Sequence, residues 1–462
     1  MRVDLKSMTV VVTSSTCLAG VAEAATLSVG PGATYAGPCQ AIAAAADGDT
    51  IEIDAAGVYD GDVCAIARSR LTLRGIHGRA HIDAAGRNSG GKGIWVVQGN
   101  DTVVEGIEFS GATVPDQNGA GIRQEGTNLT VRNCYFHDNE NGILTGADPN
   151  SEIVIESSEF ARNGYGDGYT HNMYIGSIRR FTLRYSYSHS AKVGHLVKSR
   201  AQENHILYNR LTGEADGTES YEINLPNAGT SYVIGNLVEQ GPTTENSAML
   251  DYGSEGPTNP GNDLYVINNT FVNDRPSGGV FVSINTAVAV PAVVRNNIFR
   301  GTGTPVSQSS AVLANNFTGV DPMLVDMANF DYHLAPGSPC VDTGGDPGSA
   351  GGVSLLPVAQ YVHPASFEGR IVVGTIDIGA YELNGAAGAA GSGGQASGGA
   401  GGSAATPVAG GGGAPNSPEQ DCDCRLGPRR HPLGLGVWLG LALIAFGRRG
   451  RRGRASTGAD WS

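Results

Sequence analysis

This 462-residue chain lacks the linear metal signatures: it has no Cys-x-x-Cys pair and no His-Glu-x-x-His, so spacing alone gives a zinc site no support. Its C-terminal apolar run, Leu433 to Phe446, falls short of the roughly 20 residues of a full membrane span. Aromatic residues make up only 6%. Positive charge is scarce, with a net −14 overall. From residue 421 onward there are eight Arg against three Asp, a surplus of five, which leaves −19 for the rest. Such a body excludes binding of nucleic acid or anionic membranes through its net field. It would draw in a polyanion only through a local basic site or a bound cation. What the chain has in abundance is Gly, 69 residues divided between turns and one linker.

A six-residue unit recurs: an aliphatic residue, any residue, two small or Asn residues, any residue, then an apolar one. It reads VEGIEF (Val104–Phe109), VRNCYF (Val131–Phe136), IESSEF (Ile155–Phe160), LRYSYS (Leu183–Ser188) and ILYNRL (Ile206–Leu211). It continues as VIGNLV (Val233–Val238), VINNTF (Val266–Phe271), VRNNIF (Val294–Phe299) and VLANNF (Val312–Phe317). Most copies lie 23–33 residues apart, a period that means a solenoid whose units bury apolar faces against their neighbours, and the alternating β-formers favour strands over helix pairs. The Leu pattern of leucine-rich repeats is absent. Position four runs Ile107, Cys134, Ser158, Ser186, Asn209, Asn236, Asn269, Asn297, Asn315. Stacked about 4.8 Å apart, these side chains would form an internal polar ladder. Position six is an apolar stack in the core. Cys134 then reads as a small core residue.

The Asn file and the NNTF and NNIF turns resemble those of right-handed parallel β-helix proteins, the architecture of pectate lyases and related polysaccharide enzymes. The resemblance covers about residues 27–383. It implies an all-β fold, a single-stranded right-handed parallel β-helix with N- and C-terminal caps, used as one domain and expected as a monomer.

The ends divide as follows. Residues 1–24 read as a signal peptide, with Arg2 and Lys6 before an apolar run and Ala22-Glu23-Ala24 as the cleavage site. Residues 25–70 read as an N-terminal cap carrying a Cys39–Cys64 disulfide, with two free thiols as the alternative. The β-helix is assigned to residues 71–320, and residues 321–383, with DIGAYE at Asp377–Glu382, resemble the closing segment of many bacterial β-helix proteins and would finish the last coils. Residues 384–420 are a Gly/Ala/Ser/Pro linker. Residues 421–462, with Cys422 and Cys424, the apolar run and Arg448–Arg454, resemble the C-terminal sorting tags of myxobacterial surface proteins. That resemblance implies a tail held in the membrane before processing and a protein kept on the cell surface or outside the cell. Cys340 has no assigned role.

Alternation along the strand after each unit puts Met173, Ile175, Val197, Ile223 and Leu250 on the core face. It predicts one outer column of Tyr174, Lys198, Asn224, Asp251 and Ser283, and beside it a column of Asn172, Leu196, Glu222, Met249 and Phe281. His195 points inward on this reading. Such a wall suits an acidic polysaccharide. Eliminative cleavage of a uronate needs a base near C5 and positive charge on the carboxylate. Lys198 is the candidate base and Arg200 the candidate clamp. Glu222, Asp251 and Glu255 are instead a candidate Ca²⁺ set that would do the clamping. Hydrolysis would need two facing carboxylates, and Glu222 with Asp251 is the pair available. Asn172, Tyr174, Asn224 and Tyr252 are candidates for substrate binding, the tyrosines either as sugar platforms or as packing.

The segment VKSRAQENHILYNRL resembles the Lys-Ser…Asn…Asn segment of the alginate lyase and chondroitinase-B-like family, which places Lys198 at that family's catalytic lysine. The chain departs from the family at two places. Tyr221-Glu222-Ile223-Asn224 stands where the family has an Arg on the following coil, and Ala191-Lys192-Val193-Gly194 where it has calcium-serving Glu residues. The expected function is β-elimination on an extracellular, uronate-containing polysaccharide. The alternatives are a non-catalytic glycan-binding or adhesive surface protein and a purely structural one.

Overall fold

The unit works because its third residue turns the chain. That residue is left-handed in eight of the units: Gly106, Asn133, Ser157, Tyr185, Tyr208, Gly235, Asn268 and Asn296 have φ between 46° and 67°. Gly and Asn tolerate this conformation best, which explains their frequency at that place. Positions one and two end a strand on one side of this corner, and positions five and six begin a strand on the other. The fourth side chain is thereby aimed into the interior.

The computed structural model describes residues 24–383. Repeated turns wind the chain into three parallel sheets of 12, 9 and 10 strands, here called first, second and third in the order each coil visits them. The first sheet begins at Thr26–Val29, which pairs in register with Thr50–Asp54. The solenoid therefore starts inside the segment assigned to the cap, and only the short helix Pro38–Ala44 is a non-strand addition there. A disulfide joins Cys39 to Cys64, with the two Cα atoms 5.9 Å apart.

Inside, position four forms a continuous ladder. The Ser186 N–H donates to Asn209 Oδ1 at 3.0 Å, and the Asn209 N–H to Asn236 Oδ1 at 2.9 Å. Asn236, Asn269 and Asn297 repeat the step at 2.9 Å. Each Asn Nδ2 also donates to a carbonyl of the preceding coil, so the corner's buried backbone is satisfied. The last rung is Asn316, not Asn315. Val312 pairs with Val293 rather than Val294, so the final unit is displaced by one residue and Asn315 takes the left-handed place instead. The adjacent apolar file stacks its rings: Phe109 on Phe136 at 5.0 Å and Phe136 on Phe160 at 4.8 Å between centroids. Cys134 and Cys340 are buried free thiols.

Residues after 321 do more than finish the last coils. They form three small antiparallel hairpins that run back along the first-to-second-sheet corner. The third-position side chains, turned outward there, are what they grip. The Val358 N–H donates to the Tyr208 hydroxyl at 3.1 Å, Phe367 stacks on Tyr185 at 3.8 Å, and Asn268 and Asn296 bond the backbone of Asp377, Gly379 and Gly345. DIGAYE anchors this strap. Glu382 pairs with Arg370 at 2.9 Å with both side chains sealed from solvent, and Arg370 also donates to the carbonyls of Asp377, Gly379 and Tyr381.

Among the described residues no helix is long and apolar enough to cross a membrane. The proposed signal peptide, linker and sorting tag lie outside the described residues, apart from residue 24.

Candidate functional site

The third sheet carries the predicted outer column. Tyr174 pairs with Lys198, Lys198 with Asn224, Asn224 with Asp251, and Asp251 with Ser283, one residue per coil. Above them in sequence the alternation breaks. Asn172 and Met173, Leu196 and Val197, Glu222 and Ile223, Met249 and Leu250 are all buried as consecutive pairs, because the chain turns a corner there and both side chains face inward. The column of Asn172 and Glu222 therefore lines the interior, which removes both from the outer wall. Asn172 belongs to a second internal ladder, taking a hydrogen bond from Asn163 Nδ2 at 2.9 Å and donating to Ser188. Glu222 is fully buried with neither carboxylate oxygen partnered, and burial holds its pKa well above the usual range, with Glu219 adding to the shift.

The same corner moves His195 to the outer side. His171, His195 and Tyr221, each three residues before the Lys198 column, form their own row: His171 stacks on His195 at 4.4 Å, and Tyr221 meets His195 edge-on at 5.0 Å. His171 also stacks on Tyr174 at 5.7 Å. Strict alternation hid this row. The signal for it was the recurrence of an aromatic or His at a constant distance before three successive strands. Burial, with Lys198 adding, pushes His195 down to about 3, so its ring is neutral.

Lys198 and Arg200 face one another across a single carboxylate. Glu255, in the loop after Ala248–Tyr252, lies 2.7 Å from the Arg200 guanidinium and 3.5 Å from Lys198 Nζ. Arg200 also donates from Nε to the Tyr174 hydroxyl at 2.7 Å and from Nη1 to Asn227 Oδ1 at 2.6 Å, which fixes its plane. Lys198 lies over the Tyr174 ring at 5.3 Å, and its side chain is only 12% exposed. Burial lowers its pKa; the Arg200 charge adds to this, and Glu255 and Asp251 oppose it. Burial works against ionisation of Glu255 as well, but the Arg200 hydrogen bond and the two cations outweigh it and hold that carboxyl low.

Asp251 faces the same side but is covered. It accepts from Asn224 Nδ2 at 2.7 Å and from Ser254, and burial pushes its pKa up against those bonds. Tyr252 is fully buried, its hydroxyl bonded to the Gly229 carbonyl at 2.7 Å, so it is packing and not a platform. The structure thus gathers Lys198, Arg200, Tyr174, Asn224 and Asp251 on one wall. It adds Glu255, His171, His195 and Tyr221, and it separates Asn172, Glu222 and Tyr252. With Glu222 inside, neither the facing carboxylate pair nor the Glu222–Asp251–Glu255 calcium set is assembled. Asn224 Oδ1 and His195 Nδ1 are buried on this wall without hydrogen-bond partners.

A cleft of about 530 Å³ opens elsewhere, among Arg162, Tyr187, His189, Lys192, Glu214 and Phe330, on the second-sheet side.

No curated protein sequence matches the chain. A family model described as a right handed beta helix region matches residues 76–238. Among solved structures, the crystal structure of pectate lyase Pel9A aligns with a TM-score of 0.53 at 15% identity, over 79% of this chain and 98% of that one. A Geobacillus virus E2 protein, ORF18, aligns with a TM-score of 0.35 at 14% identity, over 60% of this chain and 55% of its own. The family model and the first of these structures agree with the three-sheet winding described above, and the fold of this chain is a right-handed parallel β-helix.

Proposed function

We propose that the third-sheet wall around Lys198 binds and cleaves an extracellular, uronate-containing polysaccharide by β-elimination. The observation that carries this reading is the carboxylate seat between Lys198 and Arg200, filled here by Glu255. A uronate carboxylate entering from solvent would displace Glu255, which is exposed and belongs to a loop. Arg200, already held by Tyr174 and Asn227, would neutralise that carboxylate as charge develops at C5. Lys198, its pKa lowered by burial, would take the C5 proton. The electron pair left behind forms the C4–C5 double bond as the C4–O bond breaks, and the departing oxygen takes a proton from solvent water. An open wall, rather than the cleft near Lys192, suits a long polymer that crosses several coils.

Export of the chain, retention at the cell surface and action as a monomer belong to the same proposal; the Cys39–Cys64 disulfide supports an oxidising compartment. A second reading, a glycan-binding or adhesive surface protein without catalysis, is favoured by Tyr174 and Tyr221, whose half-buried rings on this wall suit sugar packing.

A panel of acidic and neutral polysaccharides, with and without Ca²⁺, separates the readings. Cleavage predicts unsaturated ends absorbing near the ultraviolet edge, abolished in Lys198→Ala. Retention without product in both proteins would leave only the binding reading, and neither product nor retention would remove both.

A further inference from the structure

On the second sheet, three consecutive coils place His81, Glu108 and His137 together. His81 is directly opposite Glu108, and His137 lies one diagonal step further, opposite Ser110. The ligand-bearing atoms of the three all lie within 4.8 Å of one another. Glu108 Oε1 is 3.0 Å from His137 Nε2 and 3.8 Å from His81 Nε2. Tetrahedral zinc with bonds of about 2.0–2.1 Å needs donor atoms roughly 3.3 Å apart, so small side-chain rotations suffice.

The surroundings are those of a metal ligand set. His137 Nδ1 is bonded to Asp138 Oδ2 at 2.9 Å, which leaves Nε2 as the donor directed at the cluster. Tyr135 stacks on the His137 ring at 4.4 Å and fixes its plane. The Ser110 hydroxyl donates to Asp83 at 2.6 Å and lies 2.8 Å from His81 Nε2, a contact that a metal bound at Nε2 would replace. His81 is 45% exposed, so the fourth position opens to solvent.

We infer that His81, Glu108 and His137 form a binding site for a divalent transition metal, with zinc the best fit. Two imidazoles and one carboxylate favour zinc and its neighbours over calcium or magnesium, which prefer all-oxygen shells. No linear motif signals the site because its ligands are separated by coil lengths of 27 and 29 residues.

The test uses the full chain without an affinity tag, stripped with chelator and then titrated with Zn²⁺ by calorimetry and with Co²⁺ by visible absorption. The expected result is one Zn²⁺ per chain and a tetrahedral-type Co²⁺ spectrum. His81→Ala and His137→Ala should each weaken Zn²⁺ binding by at least tenfold and abolish the spectrum. Asp138→Asn should weaken binding by about 10–100-fold while keeping the spectrum. Far-ultraviolet circular dichroism checks the fold, with His81→Asn as the milder variant if His81→Ala fails to fold. Absence of binding by the wild-type chain, or Zn²⁺ affinity and Co²⁺ spectrum unchanged in folded His81 and His137 variants, would overturn the inference.

Discussion

At the scale of single residues, the wall is defined by which groups hold protons and which hold each other. Glu255 occupies the seat assigned to the substrate carboxylate, so Glu255→Gln should free Lys198 and Arg200. Retention of acidic polysaccharide should rise several-fold in affinity chromatography, and tighter binding of neutral glycans alone would contradict the assignment. Three interior carboxyls, Glu219, Glu222 and Glu239, act in the opposite direction, on stability. Burial raises all three, and Glu239 reaches about 8. Their folded-state pKa values exceed the unfolded ones. Between the ordinary value of 4.5 and about 8 the unfolded chain has therefore lost a proton that folded Glu239 retains. Stability consequently falls as pH rises through that window. Glu239→Gln should flatten this decline, which thermal midpoints at pH 5 and pH 8 would show. A slope equal to that of the wild type would mean the carboxyl ionises freely in the fold.

At the scale of elements, the ladder and the strap make separate demands. Asn236→Ala would orphan the Asn209 N–H in a fully buried corner, and a loss of about 1–3 kcal/mol is expected in denaturant unfolding. Breaking the sealed Arg370–Glu382 pair from one side, as in Glu382→Ala, leaves an unpaired buried guanidinium and should cost about 3–5 kcal/mol. Faster proteolysis within 321–383 would locate that loss in the strap. The ladder was legible in the sequence, since its Asn residues recur at coil spacing beside an aliphatic and an aromatic. The column of Tyr174, Lys198, Asn224 and Asp251 was legible too, because strand alternation fixes it once the coils are aligned. Asn172, Glu222 and His195 were misplaced for one physical reason: alternation holds along a strand and fails at a corner, where two successive side chains turn inward. Glu255 as the bridging carboxylate and the path of the strap were not legible, since loop and tertiary contacts leave no periodic trace. Tyr185 and Tyr208, bulky residues in a left-handed conformation, were the one hint that something would cover that corner.

At the scale of the whole molecule, stability is a sum over neighbouring coils rather than the property of one core. Reducing the Cys39–Cys64 bridge, which closes a 25-residue separation, should cost about 3.5 kcal/mol and act on the first coils alone. Hydrogen exchange should show protection lost around residues 26–66 and kept beyond the middle of the chain; uniform loss would mean the coils are coupled end to end. The C-terminal hairpins set where that coupling is strong. From Tyr185 to Asn296 they splint successive turns of the winding, so this stretch should open as one block. The turns before it carry no such brace, and they are the ones that bring His81, Glu108 and His137 together. An ion gripped there would add to the Arg79–Asn133 link across the same three turns and supply, at the front of the molecule, the fastening that the chain's own tail provides at the back.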